Sequence, residues 1–311
     1  MGIPPVAGIV AGIFILIASS LALTVAIEGI GTRLRMSDSL TGAILSPMFT
    51  ALPELIIVIE AIVVVGSGPG SEIAAGTIIG EPFMVSSIGI PAAVVVLLLS
   101  RKNDPEKLDP SLARVVILLG AVFPLMLIPH FFNSLAARIL TSAILVIVYV
   151  LFMLLWKSEG EGSRRKISNR YLAILVAFGL LMLLAGSTVL VESINIFASQ
   201  SGASRELISI LIIPVGTIVP ETMNSLIWAS KLKTNLAVSA LLGEELLFTT
   251  IFPAIGMAAS EWIITLDGIV AILFFSAFSV AIGIGLTRSR GTIFPLLFYF
   301  LSFVGFLIFI Y

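Results

Sequence analysis

Apolar runs of roughly 20 residues follow one another along almost the whole chain with only short polar gaps, and that is the length an α-helix needs to cross the hydrocarbon of a bilayer. An uncharged span in lipid must satisfy every backbone N–H and C=O internally, which leaves helices or a closed barrel. The runs are about twice the length of a barrel strand and lack strand-period alternation, so the barrel drops out. Composition agrees, with 59% of 311 residues hydrophobic and 11% charged, against about a quarter charged in a soluble domain. The expected fold class is therefore an all-α polytopic membrane protein.

Reading between polar and Gly/Pro breaks predicts ten spans, at about 5–30, 38–65, 73–99, 111–131, 136–156, 171–196, 205–230, 235–259, 265–287 and 293–310. The first run has no basic segment before it and no small-x-small cleavage site after Ala26-Ile-Glu-Gly29, so it reads as a retained helix rather than a removed signal. Ten spans put both termini on one side. Arg33, Arg35, Arg101, Lys102, Lys107, Arg114, Lys157, Arg164, Arg165, Lys166, Arg170, Lys231, Lys233, Arg288 and Arg290 then fall at odd-numbered loops, and only Arg138 and Arg205 at even ones. A missed helix would scramble every later loop, so this sorting supports the count. Odd loops are expected in the cytoplasm, both termini outside the cell, and the chain in the plasma membrane.

The longest polar stretch, 157–170, is rich in Gly, Ser and Arg and reads as a flexible cytoplasmic linker. It separates a first five-helix unit, 1–156, from a second, 171–311. Because five is odd, the second unit must enter the membrane from the opposite side, giving a 5+5 inverted-topology repeat.

The two units share a motif. Span 2 contains Pro47-Met-Phe-Thr50-Ala-Leu-Pro53-Glu54, and span 7 contains Pro214-Val-Gly-Thr217-Ile-Val-Pro220-Glu221. Both read P-x-x-T-x-x-P-E at corresponding places. One span later Gly80-Glu81-Pro82 answers Gly243-Glu244-Glu245. The repeats cover about 40–90 and 207–257. Pro47, Pro53, Pro214 and Pro220 are expected to break or kink spans 2 and 7. Thr50 and Thr217 lie about one helical turn before Glu54 and Glu221, so hydroxyl and carboxylate can share a face.

An ionised acid at mid-span costs roughly 2.5–3.5 kcal/mol, so Glu54, Glu81, Glu221 and Glu244 together would cost on the order of 10 kcal/mol if unpartnered. No Lys or Arg lies within spans 2, 3 or 8, and in span 7 only Arg205 stands at its start. Protons or bound cations are the remaining compensation, and hard oxygen ligands suit Ca²⁺, Na⁺ or Mg²⁺. The bland alternatives are acids bonded to gaps left by proline, and helix capping by Glu81 and Glu244.

At these residues the sequence resembles the cation/Ca²⁺ exchanger superfamily of the sodium/calcium exchanger type. That family has ten helices in two inverted halves, with G-T-S-L-P-E on helices 2 and 7 and G-N-x-x-G-S-N on helices 3 and 8. The resemblance implies two helix pairs crossing at the bilayer centre, with Glu54 and Glu221 as central divalent-ion ligands and Thr50 and Thr217 adding oxygens. It also implies alternating access by spans 1 and 6 sliding across spans 2, 3, 7 and 8. Phe49 stands where the first motif has Gly, although Gly216 is kept; Ala51 and Ile218 replace motif serines. Glu81 and Glu244 stand at later serines, Pro82 and Glu245 at asparagines, and Val85 and Phe248 where Asn or Asp is common. Sodium ligands are thus exchanged for carboxylate or hydrocarbon, which makes H⁺ a contender with Na⁺ as coupling ion.

Four further residues carry two readings each. Glu245 points about 100° from Glu244 around a helix, so it either joins the cation ligands or faces a neighbouring span. Asn224 and Ser225 either extend the ligand stripe after Glu221 or bond across helices. Glu60 is either a polar helix contact or part of an access pathway. The acids near span ends, Glu28, Glu72, Glu192, Glu206, Glu261 and Asp267, read as interfacial, as does His130; Trp156, Trp228, Trp262 and Tyr311 read as interface anchors.

The expected function is a secondary active antiporter moving a divalent cation, foremost Ca²⁺, against Na⁺ or H⁺. A passive channel with an acidic filter is the alternative. With no cysteine, one histidine and no nucleophile beside a base, the chain is not expected to be an enzyme. No cofactor, nucleic acid or obligate protein partner is expected, only inorganic cations and the lipid bilayer.

Overall fold

The computed structural model describes residues 4–33, 47, 51–66, 68–100, 108–155, 168–202, 204–232, 234–289 and 292–310. Thr50 lies outside the described residues, as do the side chains of Pro53, Pro220, Glu221 and Asn224. No β-strand occurs among the described residues. The helices are α1 (Pro5–Arg33), α2 (Leu52–Glu60), α3 (Pro69–Met84), α4 (Ile90–Ser100), α5 (Pro110–Val122), α6 (Ile128–Phe132) and α7 (Leu135–Leu155). Then come α8 (Asn169–Ser201), α9 (Arg205–Ser230), α10 (Thr234–Thr249), α11 (Ile251–Ala259), α12 (Leu266–Arg288) and α13 (Tyr299–Ile310).

Among the described residues, seven helical stretches are long and apolar enough to cross a membrane: Pro5–Leu23, Pro69–Ser100, Ser111–Phe132, Leu135–Leu154, Asn169–Ser201, Ala237–Ala259 and Leu266–Arg288. Phe294–Ile310 is a shorter apolar stretch. Within Leu135–Leu154 only 17% is buried, against 78% of Ala237–Ala259, so α7 lies at the periphery and α10 and α11 form the interior. On α7 and α8 large apolar side chains such as Leu140, Leu154, Phe178 and Leu181 point outward, the pattern of helices whose solvent is lipid.

Proline places most of the irregular turns. Helix α2 starts afresh at Leu52 after a turn at Ala51, with Pro53 in its first turn where no N–H is needed. In α3, Pro82 cannot donate to the preceding turn, and the helix widens into a π-helical turn at Val85–Gly89. Of the break or kink expected in span 7, a break is absent: α9 runs continuously through Pro214 and Pro220. Each proline removes a single donor, and the neighbourhood absorbs the loss. The Ile210 carbonyl freed by Pro214 is covered by Gly80 of α3; independently of the prolines, Thr217 Oγ1 donates back to the Ile213 carbonyl at 3.2 Å. Span 8 breaks instead, at Thr250 between α10 and α11, ahead of Pro253.

Helices α3 and α9 cross at the closest backbone approach near the acids. A Cβ on Gly80 would stand 2.6 Å from the Ile210 carbonyl oxygen and 2.7 Å from its Cα, and one on Gly76 would meet Glu206 and Ser209 as closely. Both obstacles include backbone, which cannot rotate aside. Gly80→Ala is expected to destabilise the fold by about 1–3 kcal/mol, read as a lower melting temperature of the purified protein in detergent; an unchanged value would mean that the crossing is looser than described.

Contacts between loops gather at two ends. At one, Ser71 donates to Ser260 at 3.2 Å and accepts from the Ile263 N–H at 3.1 Å, Arg138 donates to the Ser260 carbonyl, and Arg205 pairs with Glu72 at 3.9 Å. Arg138 and Arg205, the exceptions in the charge sorting, are thus tied to neighbouring loops. Two expectations fail at this end. Trp262 is buried, its indole donating to the Met126 carbonyl at 2.9 Å, because loop 260–265 folds inward rather than reaching the interface. Glu206 is also buried, accepting the Thr265 N–H at the start of α12, where a helix N-terminus favours a carboxylate. At the other end the Asp109 N–H donates to Asn235 at 3.0 Å. Asp109 also caps α5, and hydrogen bonds from Ser111, with a smaller contribution from Arg114, hold its carboxyl below the usual carboxylate range.

Candidate functional site

Helices α2, α3 and α9 bring three of the expected side chains together. Glu54, in the first turn of α2, Glu81, near the end of α3, and Thr217, midway along α9, are all buried. Thr217 Oγ1 donates to Glu81 Oε2 at 3.0 Å and also neighbours Glu54. Neither carboxylate oxygen of Glu54 accepts a hydrogen bond from the described residues. The carboxylates therefore come from the first repeat and the hydroxyl from the second, through the α3–α9 crossing that Gly76 and Gly80 permit. Glu221 follows Thr217 by one turn on the same helix, its side chain outside the described residues.

The other acids and hydroxyls sort differently. Glu244 is 2% exposed on α10. Glu245, beside it, turns away to accept a hydrogen bond from Ser86 in the π-helical turn. Ser225 donates to the Ala237 carbonyl at 2.8 Å, a bond across helices. Glu60 accepts from Thr188 of α8 at 2.8 and 2.9 Å, so the helix-contact reading has a partner. Pro47 and Pro214 are buried.

Sequence reasoning missed the partners of Glu245. Tyr299 of α13 lies beside Glu245 and Ser86 and donates to Ser279 of α12 at 2.8 Å. No spacing along the chain joins these positions; Tyr299 and Ser302, the polar side chains of an otherwise apolar last span, were the available signal. Thr222 Oγ1, facing Gly89, is a further buried hydroxyl without a partner among the described residues.

An interior helix crossing that carries acids and hydroxyls inside a lipid-facing shell defines a membrane transport protein for cations. The sodium/calcium exchanger protein family matches residues 4–156 and 171–311, so the chain belongs to that family. Solved structures share the fold. The H⁺/Ca²⁺ exchanger CAX is 14% identical at a TM-score of 0.77, covering 99% of this chain and 82% of that one. Native YfkE is 20% identical at 0.72, covering 99% and 92%. The sodium-calcium exchanger NCX_Mj, soaked with Na⁺ and Ca²⁺, is 16% identical at 0.59, covering 98% and 97%. No curated protein matches the chain in sequence.

Proposed function

We propose that the chain is a divalent-cation/H⁺ antiporter, with Ca²⁺ as the principal divalent ion, working by alternating access at a site formed by Glu54, Glu81 and Thr217 together with Glu221, Glu244 and Thr50. The observation that carries this reading is Glu54, fully buried with both oxygens open, beside the Thr217–Glu81 pair. A carboxylate so placed must hold a cation or a proton, and a transporter alternates between the two. Exchange of one divalent ion for as many protons as it carries charges would keep the buried site close to neutral in both halves of the cycle.

Protons are favoured over Na⁺ because this chain has lost neutral oxygen ligands at Ala51, Ile218, Val85 and Phe248 and gained carboxylates at Glu81 and Glu244. The fold shared with an H⁺/Ca²⁺ exchanger is compatible with that choice. Ten spans in two inverted halves, 1–156 and 171–311 joined by a cytoplasmic 157–170, termini outside and a plasma-membrane location complete the reading. The gathering of Ser71, Glu72, Arg138, Arg205 and Glu206, at helix ends, around loop 260–265 at one end supports it. Helices α1 and α8 pack closely together, with Gly12 against Leu190 and Gly186 against Ile15 and Leu16, and suit a two-helix unit moving over the site.

The test is flux of radioactive Ca²⁺ into proteoliposomes with pH and Na⁺ gradients imposed separately. Acid-inside vesicles are expected to accumulate Ca²⁺; uptake driven by Na⁺ alone, or by neither gradient in folded protein, would reject the reading, and single-channel currents would favour a channel. Thr217→Val, which strips Glu81 of a charge-assisted hydrogen bond of about 1.5–3 kcal/mol, is expected to weaken Ca²⁺-dependent thermal stabilisation by roughly tenfold or more in concentration. Thr217→Ser should restore it.

A further inference from the structure

Glu245 breaks the correspondence between the repeats, because the first repeat has Pro82 where the second has this acid. Its surroundings differ from those of Glu54 and Glu81. Ser86 donates to Oε1, while Oε2 is buried with no partner among the described residues. Tyr299 lies beside both Glu245 and Ser86, and its hydroxyl donates to Ser279 Oγ, leaving the phenolic oxygen's lone pairs directed away from that bond. All four side chains are fully buried, and they come from four elements: α10, the π-helical turn after α3, α12 and α13. Ser87 and Ser302 bond each other at 2.9 Å and Ser302 donates to the Tyr299 carbonyl at 2.6 Å, which fixes α13 against the turn.

We propose that Glu245, Ser86, Tyr299 and Ser279 form a second cation site, built for a monovalent ion of the Na⁺ class and lined by residues other than those of the exchange site. One carboxylate with neutral hydroxyls supplies a single negative charge, which matches one monovalent ion and leaves a divalent ion undercompensated. Hard oxygens from carboxylate, serine and phenol suit an alkali cation. A proton would need only one acceptor, whereas hydroxyls from three further elements gather here, Ser86 on the acid, Tyr299 beside it and Ser279 on Tyr299. A bound ion would hold α12 and α13 to α10, the helix that carries Glu244.

The test is thermal unfolding of the purified full chain in detergent, with divalent ions chelated and Na⁺ replacing N-methyl-D-glucamine at constant ionic strength and pH. A site that binds only the folded protein gives a saturable rise in melting temperature with Na⁺. Glu245→Gln and Tyr299→Phe are expected to weaken the apparent Na⁺ affinity by on the order of tenfold or more, while Glu81→Gln keeps it. Should Glu245→Gln fail to elute as folded protein, Tyr299→Phe alone decides. Absence of a Na⁺ response, a response unchanged in the variants, or one lost only in Glu81→Gln would overturn the proposal. So would stabilisation that follows pH and ignores Na⁺, which would give Glu245 a proton instead. No Ca²⁺ and no flux enter the measurement, so its outcome is independent of the exchange reading.

Discussion

Replacement of Glu54 by Gln is expected to abolish gradient-driven Ca²⁺ uptake while leaving a folded protein. The substitution keeps the shape of a buried side chain that accepts no hydrogen bond from the described residues, so packing changes little. It removes one full charge from the ion's surroundings. A unit charge pair about 4 Å apart at an effective dielectric of about 20 is worth about 4 kcal/mol, which corresponds to roughly a thousandfold in affinity. Proteoliposomes carrying Glu54→Gln should therefore show acid-driven uptake at the level of empty vesicles, with the elution profile and melting temperature of the parent protein. Glu60→Gln makes the comparison sharp: Glu60 is held by Thr188 on the α8 side, and its substitution should leave most of the uptake in place. Equal loss in both variants would mean that any buried acid on this helix sustains the fold and that Glu54 is not special.

The second large effect concerns the driving ion. Glu81 and Glu244 stand where the exchanger family places small neutral ligands, and each adds a negative charge that a proton can neutralise. The double variant Glu81→Ser, Glu244→Ser is expected to lose most of the dependence of Ca²⁺ uptake on the pH gradient and to gain dependence on Na⁺. Loss of the Thr217–Glu81 hydrogen bond also lowers affinity, so the comparison rests on the ratio of Na⁺-driven to H⁺-driven uptake rather than on absolute rate. Retention of a fully proton-driven cycle in the double variant would move the coupling to Glu54 and Glu221 alone.

Much of the site was legible because the sequence states it twice. The repeated P-x-x-T-x-x-P-E marks Glu54 and Glu221, and Thr50 and Thr217, as counterparts, and the structure brings Glu54 of the first repeat beside Thr217 of the second. Gly80 was legible as part of a motif, but its job as the surface on which the Pro214-freed carbonyl of Ile210 rests was not, since that depends on which helix crosses which. The prolines of span 7 leave the helix unbroken for the same reason. A missing donor breaks a helix only when nothing else accommodates the orphaned carbonyl, and the compensating residues sit more than a hundred positions away in sequence. Span 8 misled in the opposite sense, because its break at Thr250, beside Thr249 and three residues ahead of Pro253, lies in a run read as one continuous span. Glu245 could be separated from Glu244 by helical period, yet its partners Tyr299 and Ser279 belong to the last two spans and become neighbours only in three dimensions.

Charge sorting located Arg138 and Arg205 as exceptions, and their contacts supply a reason. Arg138 is engaged by the Ser260 carbonyl of loop 260–265 and Arg205 by the Asn195 amide of α8 and the Glu72 carboxylate of α3, so neither stands as a free surface charge. Trp262 and Glu206 show the limit of reading span ends from hydropathy: both are buried because loop 260–265 folds back over the helix ends.

The most direct measurement is proton release on Ca²⁺ binding. Purified protein in weakly buffered detergent solution is titrated with Ca²⁺ while pH and bound ion are followed together. If buried carboxylates hold protons until a divalent ion displaces them, Ca²⁺ releases protons in proportion to the ion bound, its apparent affinity weakens as pH falls, and both signals vanish in Glu54→Gln. Ca²⁺ binding with no proton release, or binding and release unchanged by Glu54→Gln, would contradict it.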